Sequence, residues 1–230
     1  MPTYFLAPNT EVISSLVACY TSGSPTVIYG NAASGKTTSC LLTAIEAARN
    51  KGRAIYVDTE GGFNSDRLKQ LTSGFDNVLD NIFLFHPKSF DEQHETIMNL
   101  TGLCENEKIK LVVIDTLGNH FRVAVNKDPK LTNGMMALQV QCLIRIARDL
   151  NKIVLVTTQA RSNVTVKDEI AMVGGKLVGN MAKCIIELNK KDDRRFASLI
   201  KYKMEKDNVT HYNLGKCVEF EIKENGLFLK

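Results

Sequence analysis

The sequence predicts an α/β fold: a mainly parallel, twisted sheet with helices on both faces and antiparallel strands at its C-terminal end. Three observations carry this. Leu111 to Asp115 (LVVID) and Ile153 to Thr157 (IVLVT) are continuous apolar runs, the pattern of strands buried on both faces. Helical, amphipathic stretches alternate with such runs, as in β-α-β units. After about residue 183 the helical stretches stop and short strand-like runs follow one another. The chain has 230 residues and 44% hydrophobic content, enough for one sizeable core.

In chain order, Thr26 to Tyr29 is a short β-type run that enters Gly30-Asn31-Ala32-Ala33-Ser34-Gly35-Lys36-Thr37. That octet fits G-x-x-x-x-G-K-[ST], the loop that wraps nucleoside triphosphates. Thr38 to Asn50 has helical spacing, which aims a helix N-terminus at the phosphates. Arg53 to Asp58 and Ile82 to Phe85 read as strands, and Asp91 to Glu105 as a helix. Asn133 to Leu150 reads as a long amphipathic helix. Two stretches lack a period and read as loops, Gly118 to Thr132 and Ala160 to Gly175. Both follow strand ends of the kind where α/β sheets bind ligands. Lys183 to Leu188, Phe196 to Met204, Val218 to Ile222 and Leu227 to Leu229 read as strands with short connections, Asn225-Gly226 supplying a hairpin turn.

The fixed positions of the octet have physical jobs. Gly30 and Gly35 let backbone N–H groups close around phosphate oxygens where a Cβ would obstruct. Lys36 reaches the β- and γ-phosphates, and the Thr37 hydroxyl joins the shell of a Mg²⁺ ion. Asp115 ends a buried strand, where an acid would hold that ion through its water shell; the alternative is an Asp that caps a turn. Glu60 follows the strand RAIYVD. It is either a general base that polarises the attacking water or a surface Glu in a Gly turn. Gln159 follows IVLVTT and would report the γ-phosphate to the loop after it, or simply end a strand. Lys201 and Lys203 lie two apart and share one face of a strand. They read as cationic fingers on developing phosphate charge, or as a solvated pair.

Composition narrows the class. No apolar run approaches the roughly 20 residues of a membrane span, and the N-terminus lacks the charge and apolar pattern of an export signal. A cytoplasmic protein is expected. The six cysteines are scattered without a C-x-x-C pair, as for buried reduced thiols. Net charge is +4 but uneven: residues 151–230 carry 15 Lys and Arg against 10 Asp and Glu, and residues 1–150 carry 14 against 15. The basic half fits a nucleic-acid surface and equally a solvated lysine face.

GNAASGKTT, YVDTEGGFNSDRL, LVVIDTLGNHFR, IARDLNKIVLVTTQ and GGKLVGNMAKCIIEL occur in the order and spacing of a RecA-type recombinase core. The chain resembles that family from about Thr10 to Lys230. The resemblance is greatest to an archaeal branch that consists of the ATPase core alone. It implies a RecA-like core with ATP and Mg²⁺ as cofactors. Gly30 to Thr37 and Thr38 would bind the nucleotide, Arg67 would lie against the adenine, and Thr37 with Asp115 would hold Mg²⁺. Glu60 would be the catalytic carboxylate, acting with Lys36, and Gln159 the switch glutamine. Lys201 and Lys203 would act across a subunit interface. The segment with His120 and Arg122 would be the first DNA-binding loop. Ala160 to Gly175, with Arg161, Lys167 and the adjoining Lys176, would be the second. Only Phe121 is aromatic in these loops, so electrostatic, sequence-independent binding is expected.

The resemblance also departs from the full recombinases. No helix-hairpin-helix domain precedes the core, so a single core over residues 1–230 is expected. The F-x-x-A self-association motif is not placed before the core; its one match, Phe121 to Ala124, falls in the first loop. These features imply an accessory protein that assists a main RadA-type recombinase. Single-stranded or branched DNA, a Holliday-junction resolvase and self-association are the further partners implied. The alternative classes are a RecA-fold motor, helicase-like or KaiC-like, and a nucleotide-dependent scaffold without turnover.

Overall fold

The computed structural model describes residues 3–160, 172–203, 210–212 (backbone) and 215–230. Elements run β1 (Phe5–Leu6), α1 (Glu11–Ser14), β2 (Tyr20–Thr21), β3 (Thr26–Gly30), α2 (Lys36–Arg49), β4 (Arg53–Asp58), α3 (Ser65–Leu71), α4 (Phe75–Leu79), β5 (Ile82–Phe85), α5 (Phe90–Leu103), β6 (Ile109–Asp115), α6 (Asn119–Ala124), α7 (Pro129–Arg148), β7 (Ile153–Gln159), α8 (Gly175–Met181), β8 (Cys184–Lys191), β9 (Arg194–Lys203), β10 (Thr210–Tyr212), β11 (Cys217–Lys223) and β12 (Gly226–Leu229).

One 10-stranded sheet organises the molecule, in the order β12-β11-β9-β8-β3-β7-β6-β4-β5, with β10 paired to β9. From β8 to β5 all neighbours are parallel. From β8 outward through β9, β11 and β12 they are antiparallel. The expected fold class is therefore the observed one. β11 and β12 close through Glu224 and Asn225, with Lys223 opposite Gly226.

The parallel strands are apolar throughout because successive residues feed two cores. Ile28, Tyr56, Val113 and Leu155 point to the face covered by α2. Val27, Val57, Val112 and Val156 point to the face covered by α5 and α7. Strands buried on both faces read as unbroken runs, which is why these were legible. A small separate sheet, β1 with β2, lies on the α2 side: Leu6 and Tyr20 join that core.

One expectation is corrected. Gly118 to Thr132 is not an irregular loop: it holds α6 and the first turn of α7. Asp128 accepts from Leu131 N and Pro129 sits in the first turn, so cap and proline start the helix ahead of its first periodic residue. Phe121 packs edge-on to Phe90, with ring centroids 6.0 Å apart, against the core beneath α5, which agrees with a minor role for stacking. Of the second predicted loop, residues 161–171 lie outside the described residues, and its last residue, Gly175, begins α8.

Candidate nucleotide site

β3 is central and flanked in parallel by β7 and β8, and the glycine-rich octet leaves from its end. Gly30 is required there for packing as well: a Cβ on it would stand 1.8 Å from the Leu188 carbonyl of β8. Gly35 caps α2 with φ 102, a left-handed conformation that glycine adopts without strain. Asn31, Ala32 and Ala33 are exposed at the rim, Ser34 is buried, and Thr37 and Thr38 are half-buried.

The octet's polar groups fit a triphosphate. The buried Lys36 Nζ donates to loop carbonyls, those of Gly30 at 3.0 Å and Asn31 at 2.7 Å. Burial lowers its pKa, against the opposing pull of the Glu60 and Asp115 carboxylates. The Ser34 hydroxyl, inside the same loop, is buried and has no hydrogen-bond partner among the described residues. A cation facing carbonyls and an orphaned hydroxyl at a helix N-terminus are the donor set a bound phosphate chain would satisfy.

Asp115 stands beside them at the end of β6. Its carboxylate accepts from the Thr157 hydroxyl at 2.6 Å and the Tyr56 hydroxyl at 2.8 Å. Burial raises its pKa; hydrogen bonds from Thr157, Thr37 and Tyr56 pull it back toward the ionised form. Thr37 and Asp115, the two groups expected to hold Mg²⁺, thus lie side by side. The Asp115–Thr116 peptide is cis.

β4 ends beside β6, Asp58 in register with Asp115. Sequence reasoning passed over Asp58. Its Oδ1 accepts from the backbone N–H of Glu60, Gly61 and Gly62 at 3.1, 2.9 and 3.1 Å, and its Oδ2 from Phe63 N at 2.9 Å. This one carboxylate folds the turn that presents Glu60. An Asp followed by a Gly pair was the available signal.

Glu60 and Gln159, read separately from sequence, are brought together. Gln159 Nε2 donates to Glu60 Oε1 at 2.6 Å, and the Thr116 hydroxyl donates to the same oxygen at 3.1 Å. Arg67 is half-buried on α3, and its guanidinium donates to the Lys223 and Glu224 carbonyls at 3.0 and 2.7 Å. That hairpin packs on the octet: a Cβ on Gly35 would meet Ile222, Leu227 and Phe220 at 3.3 to 3.7 Å.

The lysine pair is not a pair of equals. Lys201 is buried and its Nζ donates to the Gly179 carbonyl of α8 at 2.9 Å. Burial, then the Lys203 charge, lowers its pKa. Lys203 is half-buried at the end of β9. Neither reading of the pair foresaw an inward Lys201. Arg122 is exposed on α6 and Lys176 is exposed on α8; Arg161 and Lys167 lie outside the described residues. His120 donates from Nε2 to the Pro87 carbonyl at 3.1 Å.

Sheet order and glycine loop together define a class, the RecA-like P-loop core. The Rad51 family model matches residues 8–217. "DNA repair and recombination protein RadB" of Methanococcus maripaludis strain C5 is 33% identical over 207 residues, covering 88% of this chain and 89% of that protein. The protein of the same description from Methanocaldococcus jannaschii is 32% identical, with 88% and 91% covered. The crystal structure of the RadB recombinase superposes with a TM-score of 0.78 at 29% identity, covering 98% of this chain and 99% of that one. The chain belongs to the Rad51/RecA family, in its RadB branch. That family is one of ATPases which bind ATP with Mg²⁺. Among the described residues no helix is long and apolar enough to cross a membrane.

Proposed function

We propose that this chain is an ATP- and DNA-binding recombinase paralogue of DNA repair and recombination, acting as a mediator of a main RadA-type recombinase. One ATPase core over residues 1–230 performs it. The relatives' shared description, "DNA repair and recombination protein RadB", supports the setting. The observation that carries the mechanism is the 2.6 Å bond from Gln159 to Glu60. Gln159 is the last residue of β7, just ahead of the segment proposed as the second DNA contact. The same side chain therefore faces the proposed general base and leads into the proposed DNA contact.

In this reading Lys36, the octet amides and Thr38 bind the triphosphate, and Arg67 borders the adenine. Mg²⁺, held by Thr37 and Asp115, supplies charge neutralisation at the phosphates. Glu60 takes a proton from the attacking water once Gln159 turns to the γ-phosphate. Arg122, Arg161, Lys167 and Lys176 contact DNA phosphates. Lys201 is engaged by α8, so any cationic contact with a neighbouring subunit rests on Lys203. Edge strand β5 exposes Phe83 and Leu84. An unpaired apolar edge of this kind supports contact with a partner protein, whether the recombinase, a resolvase or a second copy.

Two measurements test the reading. Replacing Arg161 and Lys167 together with Ala should weaken binding to single-stranded DNA and flatten log K against log salt by about 1.4. An unchanged slope would move the DNA surface elsewhere, to the basic C-terminal strands. Light scattering with Mg·ATP and DNA should give a monomer or dimer; a large ATP-dependent ring would favour a motor instead.

A further inference from the structure

The short helix α6 is tied to the Glu60 turn by two routes. Asn119 Nδ2, on the first residue of α6, donates to the Thr59 carbonyl at 2.7 Å. Thr59 directly precedes Glu60. The Thr59 hydroxyl donates to the Thr116 carbonyl at 2.7 Å and accepts from Thr116 N at 3.0 Å, which closes the β4 tip onto the β6 tip. The second route starts at His120, the next residue of α6, which holds the Pro87 carbonyl. Beside Pro87, His86 Nδ1 donates to the Asp58 carbonyl at 2.7 Å. Both anchors of α6 thus lead to the start of one turn, at the adjacent carbonyls of Asp58 and Thr59.

We propose that Asn119 is a positioning residue: it fastens α6, the proposed first DNA-contacting helix, to the turn that presents Glu60. A displacement of α6 then displaces Glu60, and a displacement of Glu60 by nucleotide displaces α6 by the same coupling, since linkage between binding events is reciprocal. The amide is the right group for the task. It donates to a carbonyl, which can only accept, whereas an isosteric carboxylate would face that carbonyl with a second acceptor. What is coupled draws its meaning from the proposed function, because Glu60 is taken there as the water-activating carboxylate. The fastening itself is a matter of the nucleotide-free molecule.

Hydrogen exchange of wild type, Asn119→Asp and Asn119→Ala tests it, with the exposed Val123→Ala of α6 as control. In the nucleotide-free protein both Asn119 variants should exchange about fivefold faster in residues 60–63 and in 119–124, the equivalent of one net hydrogen bond in the local opening equilibrium. Val123→Ala should match wild type at 60–63. With Mg·ATPγS, wild type should gain protection in residues 30–37 and change exchange in 119–124. Asn119→Asp should keep the first response and lose the second. Wild-type exchange at 60–63 in Asn119→Asp, or a persisting response at 119–124, overturns the inference. Failure of nucleotide to protect residues 30–37 in wild type overturns the proposed nucleotide site instead, and the nucleotide-free comparison still decides the role of Asn119.

Discussion

The tips of β4 and β6 lie side by side and each ends in an aspartate, yet the two acids serve opposite ends. Asp115 is surrounded by side-chain hydroxyls, those of Tyr56 and Thr157, and burial holds its pKa up. Asp58 accepts from four successive backbone amides. Asp115 therefore remains a site at which charge can be gained or lost, as a metal ligand requires. Asp58 is consumed in folding a turn, and what the turn presents is Glu60, the proposed general base. What the oxygens already bind separates these roles.

The largest effect should come at the end of that turn. Glu60→Gln should leave nucleotide affinity close to wild type and lower hydrolysis by about 10² to 10⁴, the usual worth of a general base. The amide keeps a carbonyl for Gln159 and Thr116 but takes no proton from water. Initial rates with Mg·ATP alongside equilibrium titration with a fluorescent ATP analogue check both halves. Equal rates would mean that the β4 tip presents a turn residue only, and the comparison with β6 would lose its point.

The next effect separates the two acids by sign. Asp58→Ala should destabilise the protein by about 1 to 3 kcal/mol in denaturant unfolding, because four turn amides lose their acceptor. Hydrolysis should fall with it as Glu60 loses its frame. Asp115→Asn should cost little or no stability at neutral pH. Burial already disfavours its charge, so an isosteric amide removes a desolvation penalty along with a favourable hydrogen-bond set. Its loss should appear as nucleotide affinity that no longer responds to Mg²⁺. Equal destabilisation by both substitutions would mean that both acids are structural.

The same contrast explains what the sequence disclosed. The roles proposed for Lys36, Thr37 and Asp115 rest on side chains at fixed spacing, so pattern alone suffices to single them out. Glu60 and Gln159 are single polar residues after strands, and only a family resemblance lifts them above ordinary turn residues; their mutual bond is a fact of three dimensions. Asp58 works through backbone amides, which leave no mark beyond the Gly pair after it. Asp128 and Pro129 mark the start of α7 by cap and proline, ahead of the first residue that periodicity reveals. β1 and β2, two residues each, are too short for any period to show. Lys201 shows the limit of alternation: it assigns a face to a side chain but not what covers that face, here the Gly179 carbonyl of α8.

The smallest expected effect tests how Asp115 is kept ionisable. Its pKa is raised in the fold, first by burial. Between the ordinary carboxylate value and that raised value the native state holds a proton that the unfolded chain has lost. The group thus favours folding at acid pH, and that contribution disappears as pH rises through the raised value. Binding of Mg²⁺ has the opposite preference, since the ion needs the charged form. Mg²⁺-dependent nucleotide affinity should therefore weaken on acidification before an exposed aspartate would protonate. Tyr56 opposes this by donating to Oδ2 at 2.8 Å and stabilising the anion. Tyr56→Phe should move the acid limb of Mg²⁺ dependence to higher pH and cost about 1 kcal/mol in stability at neutral pH, one buried hydrogen bond. Mg²⁺ titrations at fixed nucleotide, run from acid to neutral pH, would show the displacement. A limb that coincides with wild type would mean that Thr157 and Thr37 alone hold the carboxylate, and that the β4 strand supports its neighbour's acid only by packing.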